Sequence, residues 1–272
     1  MLVRRQDLPR HPARAQAPSV PVNPLRETLL QAVSPLLPGF AVEVADEIDS
    51  TNSELMRRAR AGDTAPVLLA ALSQTAGRGR LGRSWASAPG DSLTFSLGLP
   101  LAPRDWSGLS LVVGLSLAES LHPRIRLKWP NDLWLDGRKL AGILIETASF
   151  PPQSARYAVV GIGINLRRPD ADGLSTPPAG LEELLPGLTA AAALARVAPP
   201  LVASVKAFES AGFEPFRPAF EARDALRGLR LRLSDGTEGT GAGVSQDGGL
   251  LVHTATGPAC ITSSEVSVRP AS

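Results

Sequence analysis

The sequence is poor in the residues that form disulfides and zinc sites. It contains one cysteine, Cys260, in 272 residues. A single thiol excludes a disulfide within the chain and any metal site built from several cysteines. Histidine occurs three times, at His11, His122 and His253, and these positions are too scattered to indicate zinc. We therefore expect a protein of a reducing compartment and place it in the cytoplasm.

Long apolar runs are also missing. No run reaches the length of a membrane span, and the first residues lack the apolar stretch of a secretory signal, so we expect no membrane contact. Neither sign of charge is in excess, with a net charge of +2. Residues 1–24 account for +3, which leaves −1 for the remainder. A nearly neutral body argues against a broad nucleic-acid surface.

Lysine and asparagine are scarce, which draws attention to the few that occur. Only three of the 28 basic residues are lysine (Lys128, Lys139 and Lys206), and asparagine occurs four times. Lysine differs from arginine as a compact charge on a flexible stem. In a chain so rich in arginine, each lysine is a candidate for a specific functional role. A genome biased toward arginine codons also leaves a few lysines by chance.

Residues 77–85, Gly-Arg-Gly-Arg-Leu-Gly-Arg-Ser-Trp, form the stretch around which the chain is organised, and we call it the arginine loop. Glycine lets the backbone approach a ligand closely, and arginine offers a fork of donors that matches carboxylate and phosphate. The composition predicts a loop that closes over a small anionic ligand. A solvated turn or a weak RNA-binding patch explains the composition equally well.

The chain divides into three parts by composition and by the pattern of its apolar residues. Residues 1–24, rich in Pro, Ala and Arg, are typical of a disordered tail. Strands and helices alternate through 25–226, including a helix over 51–61 opened by a Thr–Glu capping box. A helix after residue 188 is expected to break at Pro199-Pro200. Short strands with Asp-Gly and Gly-Gly turns fill 227–272 and indicate a small β-domain.

Four blocks, taken together in this order and spacing, resemble the biotin–protein ligases, also called biotin–[acetyl-CoA-carboxylase] ligases. The likeness extends over residues 25–272. Each block alone is a weak signal, whereas the set is specific. The blocks are Asp49-Ser50-Thr51-Asn52, the arginine loop with Gln74 before it, Lys128-Trp129-Pro130-Asn131-Asp132 followed by Lys139-Leu140-Ala141-Gly142-Ile143-Leu144, and Gly161-Ile162-Gly163-Ile164-Asn165-Leu166.

The resemblance implies an α+β fold: a mixed sheet flanked by helices, as in class II synthetases, with a small C-terminal SH3-like barrel. It also implies that biotin and ATP give biotinyl-5′-AMP and that biotin then passes to a lysine of a carrier domain. ATP, biotin and Mg²⁺ are the expected ligands. The expected protein partner is the biotin carboxyl carrier protein of acetyl-CoA carboxylase.

The resemblance also assigns roles to residues. Lys139, Arg80, Arg78 and Asp132 are the expected catalytic groups, and Asp132 either binds Mg²⁺ or orients the acceptor lysine. An ordinary turn after Pro130 remains an alternative for Asn131 and Asp132, and a plain core tryptophan for Trp85. The biotin-binding residues are expected to be Ser50, Thr51, Asn52, Gln74, Arg78, Gly79, Arg80, Lys139 and Gly142. The residues expected to bind ATP or the adenylate are Arg80, Arg83, Trp85, Lys128, Asn131, Lys139, Gly163 and Asn165.

Several alternatives stay open at the level of sequence. A lipoate–protein ligase shares the carboxylate-activation logic, and a nucleic-acid-binding module is the candidate from another class. About 24 residues precede the first helix, too few for the winged helix-turn-helix of some family members, so we expect no sequence-specific DNA binding. An edge strand is compatible with a homodimer. Ser264 stands where the family often has glycine, a minor change at a turn.

Overall fold

The computed structural model describes residues 22–150, 155–170, 176–262 and 268–270. The expected tail therefore lies almost entirely outside the described residues, and so does the departure at Ser264.

A seven-stranded mixed sheet forms the larger part of the molecule. Its strand order is β1-β2-β3-β7-β6-β5-β4, in which β1 and β2 run parallel and every other neighbouring pair is antiparallel. The central strands β3 and β7 are buried along almost their whole length, so both of their faces are covered, whereas the edge strand β1 buries only Val42. The strands are β1 (Ala41–Ile48), β2 (Val67–Gln74), β3 (Ser92–Leu101), β4 (Arg126–Lys128), β5 (Asp132–Leu135), β6 (Arg138–Ser149) and β7 (Arg156–Asn165).

Helices cover both faces of this sheet. α3 and α4 pack together over one face with α1, and their apolar side chains join the main core. α2 lies on the opposite face, where Leu55 and Met56 pack with Leu69 of β2 and Val159 of β7. Packing against the sheet therefore fixes the position of α2 and the direction in which its first turn faces. The helices are α1 (Val22–Val33), α2 (Thr51–Arg60), α3 (Leu109–Leu121), α4 (Ala190–Ala211) and α5 (Arg217–Glu221).

A second, antiparallel sheet follows near the C-terminus, with the order β11-β10-β9-β8-β12. Its apolar side chains belong to the same core cluster as the main sheet. The Trp129 indole N–H donates to the Gly248 carbonyl at 3.0 Å and ties the two sheets together. The mixed sheet, its helices and this small sheet confirm the expected α+β class, whereas the boundary at 226/227 stays a prediction. The strands are β8 (Arg230–Leu233), β9 (Glu238–Val244), β10 (Leu250–Thr254), β11 (Gly257–Ile261) and β12 (Val268–Pro270).

The predicted break at Pro199-Pro200 is wrong, because α4 runs through both prolines. Each proline removes one backbone hydrogen bond, a cost that normally ends a helix. Val197 before the pair and Leu201 after it are both fully buried, so packing against α1, α3 and β3 holds the two halves in line. α4 is long and apolar enough by composition to span a membrane, and its apolar side chains belong to the main core cluster.

The start of α2 also differs from the prediction. The N-cap is Ser50, whose hydroxyl accepts from the Ser53 N–H at 3.4 Å. Thr51 is instead the first helical residue, and its N–H donates to the side chain of Gln74. Glu54 pairs with Arg57 at 2.6 Å and Arg58 at 2.8 Å rather than reaching back to the cap. Thr51 therefore does not cap the helix, and it lines the cleft described next.

Candidate functional site

A cleft opens where the first turn of α2 faces the middle of the main sheet. The space between its walls, counted out to the open mouth, is about 460 Å³. The lining mixes polar side chains with glycine backbone and apolar groups. The described residues that line it are Ser50, Thr51, Asn52, Gln74, Arg78, Gly79, Arg80, Trp85, Thr94, Asn131, Lys139, Gly142, Ile143, Leu144, Gly161, Ile162 and Gly163.

One end of the cleft is a buried polar network at the start of α2. Gln74 Oε1 accepts from the Thr51 N–H at 2.8 Å. The Ser96 hydroxyl lies 2.7 Å from Thr51 Oγ1 and 2.6 Å from Asn52 Oδ1. Because a hydroxyl has one proton and the amide oxygen can only accept, that proton belongs to the bond with Asn52. The network fixes donors and acceptors where a polar ring edge fits.

The arginine loop folds as a narrow hairpin beside this end. The Trp85 N–H donates to the Gly77 carbonyl at 2.8 Å, and the Gly79 N–H donates to the Arg83 carbonyl at 2.7 Å. Leu81 turns the tip with a φ of 56°, a conformation unusual for leucine. Its side chain is 56% exposed, so the tip itself buries little. The loop is thus held at its base and carries two arginines toward the cleft.

The two inner arginines make different contacts. Arg78 Nη2 pairs with Glu146 Oε1 at 3.1 Å. Arg80 Nη1 donates to Asn131 Oδ1 at 2.8 Å, and the Asn131 amide group in turn donates to the Ile143 carbonyl at 2.8 Å. Burial lowers the pKa of Arg80 from its usual value. A guanidinium that is partly desolvated and bonded to a neutral amide leaves positive charge to be balanced.

Lysines add to this positive charge. Lys139 Nζ lies 2.7 Å from Asp132 Oδ1, and Lys128 Nζ lies 3.7 Å from Asp132 Oδ2. The side chain of Lys128 is only 10% exposed, and burial lowers its pKa below the usual range. Together with Arg80, three cations surround one carboxylate in a partly buried place. We call these four residues the cation cluster, and its surplus charge favours an anion.

Glycines let the loop tryptophan approach the sheet. A Cβ on Gly163 would stand 2.3 Å from the Trp85 ring, and one on Gly142 would stand 3.4 Å from it. Trp85 also lies beneath Lys139, whose Nζ is 5.9 Å from the ring centroid. The indole therefore seats the hairpin on β6 and β7 beside the cation cluster.

Gly161 is equally crowded, because a Cβ there would lie 2.1 Å from Asn52 Oδ1. We expect Gly161→Ala to lower the free energy of unfolding by about 1–3 kcal/mol, since the clash falls within a buried network. Chemical denaturation measures this change. Gly114→Ala is the control, because its nearest neighbours lie 3.3 Å or more away at side-chain ends. Equal stability of the two variants contradicts the close packing.

The structure brings most of the predicted site residues together, but four of them lie away from the cleft lining among the described residues. Lys128 and Asp132 stand just behind Lys139. Arg83 is exposed on the outer side of the loop. Asn165 is buried, and its amide group donates to the carbonyls of Lys139 at 3.3 Å and Ala179 at 3.1 Å. Asn165 therefore braces the backbone that presents Lys139.

Sequence reasoning missed several residues. Thr94, Ile143, Leu144 and Ile162 also line the cleft. The last three lie within the motif blocks, which had given them no role. Glu146 was missed for another reason. A lone glutamate near the end of an apolar strand carries no local signal, and its partners are distant in sequence.

A metal site at Asp132 does not fit the arrangement observed. Both of its carboxylate oxygens face lysine ammonium groups. No group of three His, Cys, Asp or Glu side chains suited to a metal occurs within the residues that the structure describes. Magnesium prefers several oxygen ligands and often binds through substrate phosphates. Mg²⁺ as a companion of ATP stays a prediction, and Asp132 alone does not hold it.

A second, wider cavity lies on the far side of Lys128, between β4, β5 and the second sheet. Arg124, Arg126 and Arg269 line it together with Trp134, over whose ring Lys128 Nζ lies at 5.4 Å. Lys128 lines this second cavity and shares Asp132 with Lys139, which lines the first.

Comparison with known proteins gives consistent findings. The profile of the Biotin/lipoate A/B protein ligase family matches residues 44–165. A biotin–[acetyl-CoA-carboxylase] ligase of Paracoccus denitrificans is 33% identical over 236 residues, which cover 80% of this chain and 96% of the relative. The bifunctional ligase/repressor BirA of Escherichia coli is 35% identical over 228 residues, covering 80% of this chain and 70% of BirA.

A solved structure agrees with these relatives. The biotin protein ligase from Aquifex aeolicus in complex with biotin and ATP superposes with a TM-score of 0.73 at 30% identity, covering 85% of this chain and 99% of that protein.

Proposed function

The chain belongs to the biotin/lipoate A/B protein ligase family, and from that premise we propose how its cleft joins biotin to ATP and then to a protein lysine. The enzyme is an ATP-dependent biotin–protein ligase, with biotin and ATP as substrates. The cation cluster carries the proposal, because three cations around one carboxylate suit the meeting of a carboxylate with a triphosphate.

Biotin fits the cleft with its ureido group at the start of α2. The ureido group offers two N–H donors and one oxygen acceptor, and Ser50, Thr51 and Asn52 present matching atoms there. Ile143 and Leu144 supply apolar wall for the ring system. The valeryl chain then runs along Gly79 under the arginine loop. This orientation brings the carboxylate of biotin to Lys139.

The first step is displacement at the α-phosphorus of ATP. A carboxylate oxygen of biotin attacks this phosphorus, the bond to the β-phosphate oxygen breaks, and pyrophosphate leaves with its electron pair. Negative charges that repel one another in water meet here beside Lys139 and Arg80. Preorganised cations stabilise the crowded transition state without reorientation.

The second step transfers the acyl group. The neutral amine of the acceptor lysine attacks the carbonyl carbon of biotinyl-AMP, and AMP leaves through cleavage of the mixed anhydride. The incoming ammonium group must lose a proton first. Asp132, which already holds two ammonium groups, suits a role in orienting that amine. A covalent enzyme nucleophile is unnecessary because the anhydride is already activated.

The acceptor that we propose is the biotin carboxyl carrier protein of acetyl-CoA carboxylase. The name of the Paracoccus denitrificans relative supports this acceptor. A homodimer, the absence of DNA and membrane binding, and a cytoplasmic location stay predictions.

The choice between biotin and lipoate is tested by pyrophosphate release. Purified enzyme with ATP and Mg²⁺ receives either biotin or lipoate, and mass spectrometry identifies the adenylate. We expect biotin-dependent release with biotinyl-AMP as the product. Faster release with lipoate would assign the cleft to the other branch of the family.

Tight RNA binding at physiological salt without ATP consumption would favour a nucleic-acid module.

Lys128 predicts a pH dependence. Burial first, and then repulsion from Lys139 and the loop arginines, lowers its pKa below the usual 10.5. As the pH rises through that lowered pKa, the cluster loses the positive charge of Lys128, so KM for ATP is expected to rise. The free energy of unfolding also rises over this range, because burial disfavours the charged form of Lys128 in the folded protein and this cost disappears as the lysine loses its proton.

Steady-state kinetics and chemical denaturation between pH 7 and 10 measure both effects. Lys128→Arg keeps its charge throughout this range and is expected to remove the alkaline rise in KM. The same rise in that variant would assign the titration to another group.

A further inference from the structure

Glu146 links two parts of the cleft, the first turn of α2 and the arginine loop, which a longer bond of 3.4 Å from Arg78 Nη1 to Ser53 Oγ also joins. It lies on β6, seven residues after Lys139, and its side chain is 23% exposed. One carboxylate oxygen accepts from Asn52 Nδ2 at 3.0 Å, at the start of α2. The other accepts from Arg78 Nη2 at 3.1 Å, on the arginine loop. A single carboxylate thus holds the polar end of the pocket and the loop that covers it.

The contacts continue from Asn52 to the base of the same loop. Asn52 bonds to Ser96 at 2.6 Å, and Ser96 lies 2.7 Å from the hydroxyl of Thr51. The Thr51 N–H donates to Gln74, which stands three residues before the loop begins. The chain of hydrogen bonds starts at the base of the loop and returns to the first arginine within it. These hydrogen bonds therefore couple the position of the loop base at Gln74 to the position of Arg78.

We propose that Glu146 is a positioning residue for ligation, through which filling of the biotin pocket and closure of the arginine loop stabilise each other. This inference rests on the proposed function. Glu146 touches neither the carboxylate of biotin nor ATP in the orientation given above. It acts through Asn52, which faces the ureido group, and through Arg78, which holds the loop down.

The role requires a carboxylate. Both oxygens accept, and both partners are donors, so neither position tolerates an N–H group. Glu146→Gln keeps the shape but turns a donor toward either Arg78 or Asn52. Glu146→Ala leaves Asn52 with the Leu144 carbonyl as its remaining acceptor, at 3.1 Å. Loss of a purely structural glutamate would lower stability and all rate constants together. Loss of a residue that couples the pocket to the loop instead affects KM for biotin and retention of the adenylate selectively.

The test compares wild type, Glu146→Gln and Arg78→Ala in steady-state kinetics, and in adenylate retention after gel filtration. For Glu146→Gln we expect KM for biotin to rise about tenfold and the half-life of bound biotinyl-AMP to fall about tenfold, the effect of one charge-assisted hydrogen bond. KM for ATP is expected to stay within about twofold. Glu238→Gln is the matched control, because Glu238 pairs with Arg232 at 2.7 Å on the second sheet.

The double variant decides whether the two side chains act as one. If Glu146 works through Arg78, the shortened half-life of Arg78→Ala and Glu146→Gln combined will equal that of the worse single variant. Additive losses, or equal increases in KM for biotin and ATP, overturn the proposal. If the wild-type enzyme forms no biotinyl-AMP, the proposed function itself is wrong. If the wild-type enzyme is active and Glu146→Gln behaves like it, only the role of Glu146 is wrong.

Discussion

Lys139→Ala is expected to reduce the rate of biotinyl-AMP formation by about a thousandfold. Lys139 lines the cleft and also pairs with Asp132 at 2.7 Å. Removing one preorganised group that faces the developing charge typically costs a hundred- to a thousandfold in rate. The substitution also leaves the Asp132 carboxylate repelling the incoming anions. Single-turnover formation of biotinyl-AMP, followed by mass spectrometry, measures the loss.

The chain offers a matched control for this substitution. Lys206, the lysine outside the motifs, pairs with Glu209 on α4, and Lys206→Ala is expected to keep full activity. Thermal unfolding of both variants separates a chemical loss from a folding loss. If Lys139→Ala forms the adenylate at the wild-type rate, the role assigned to Lys139 is wrong.

Arg80→Gly is expected to release biotinyl-AMP about a hundredfold faster than wild type and to label bystander lysines. Arg80 is the partly buried loop arginine that bonds to Asn131 at 2.8 Å. Its loss removes both that bond and a cation beside the anhydride, so the loop holds the intermediate less firmly. Free biotinyl-AMP reacts with any exposed amine. Biotinylation of added serum albumin, probed on a blot, reports the release.

Arg104→Gly controls for the loss of an arginine in an exposed loop, because Arg104 lies between β3 and α3 away from the cleft. It is expected to leave albumin unlabelled. Labelling by Arg80→Gly no stronger than by this control would show that the arginine loop does not retain the adenylate.

Local chemistry explains which parts of the fold were predictable. Apolar alternation indicated β1, and short apolar runs indicated β2 to β7. The turn between β5 and β6 was indicated by two residues, Asp136-Gly137. These signals lie within a few positions of the structure they specify. The four motif blocks converged in space because the strands that carry them are neighbours in one sheet.

Predictions failed where distant contacts decide. α4 continues through two prolines because α1, α3 and β3 pack along it, and no local pattern reveals that packing. Thr51 is not the cap because Gln74, 23 positions later, takes its N–H. β11 pairs with β10 although only Ile261 of its Gly-Pro-Ala-Cys-Ile sequence is typical of strands. Glu146 belongs to the same class, since Asn52 and Arg78 are far from it in sequence.

Retention of the intermediate tests the central claim most directly. The enzyme is mixed with biotin, ATP and Mg²⁺ without an acceptor and passed through gel filtration, and the bound compound is identified by mass spectrometry while hydrogen exchange is followed. We predict that biotinyl-AMP stays bound and that the amides of residues 77–85 exchange more slowly than in the free enzyme. A protein fraction without adenylate, or bound adenylate with unchanged exchange in the loop, would contradict the account.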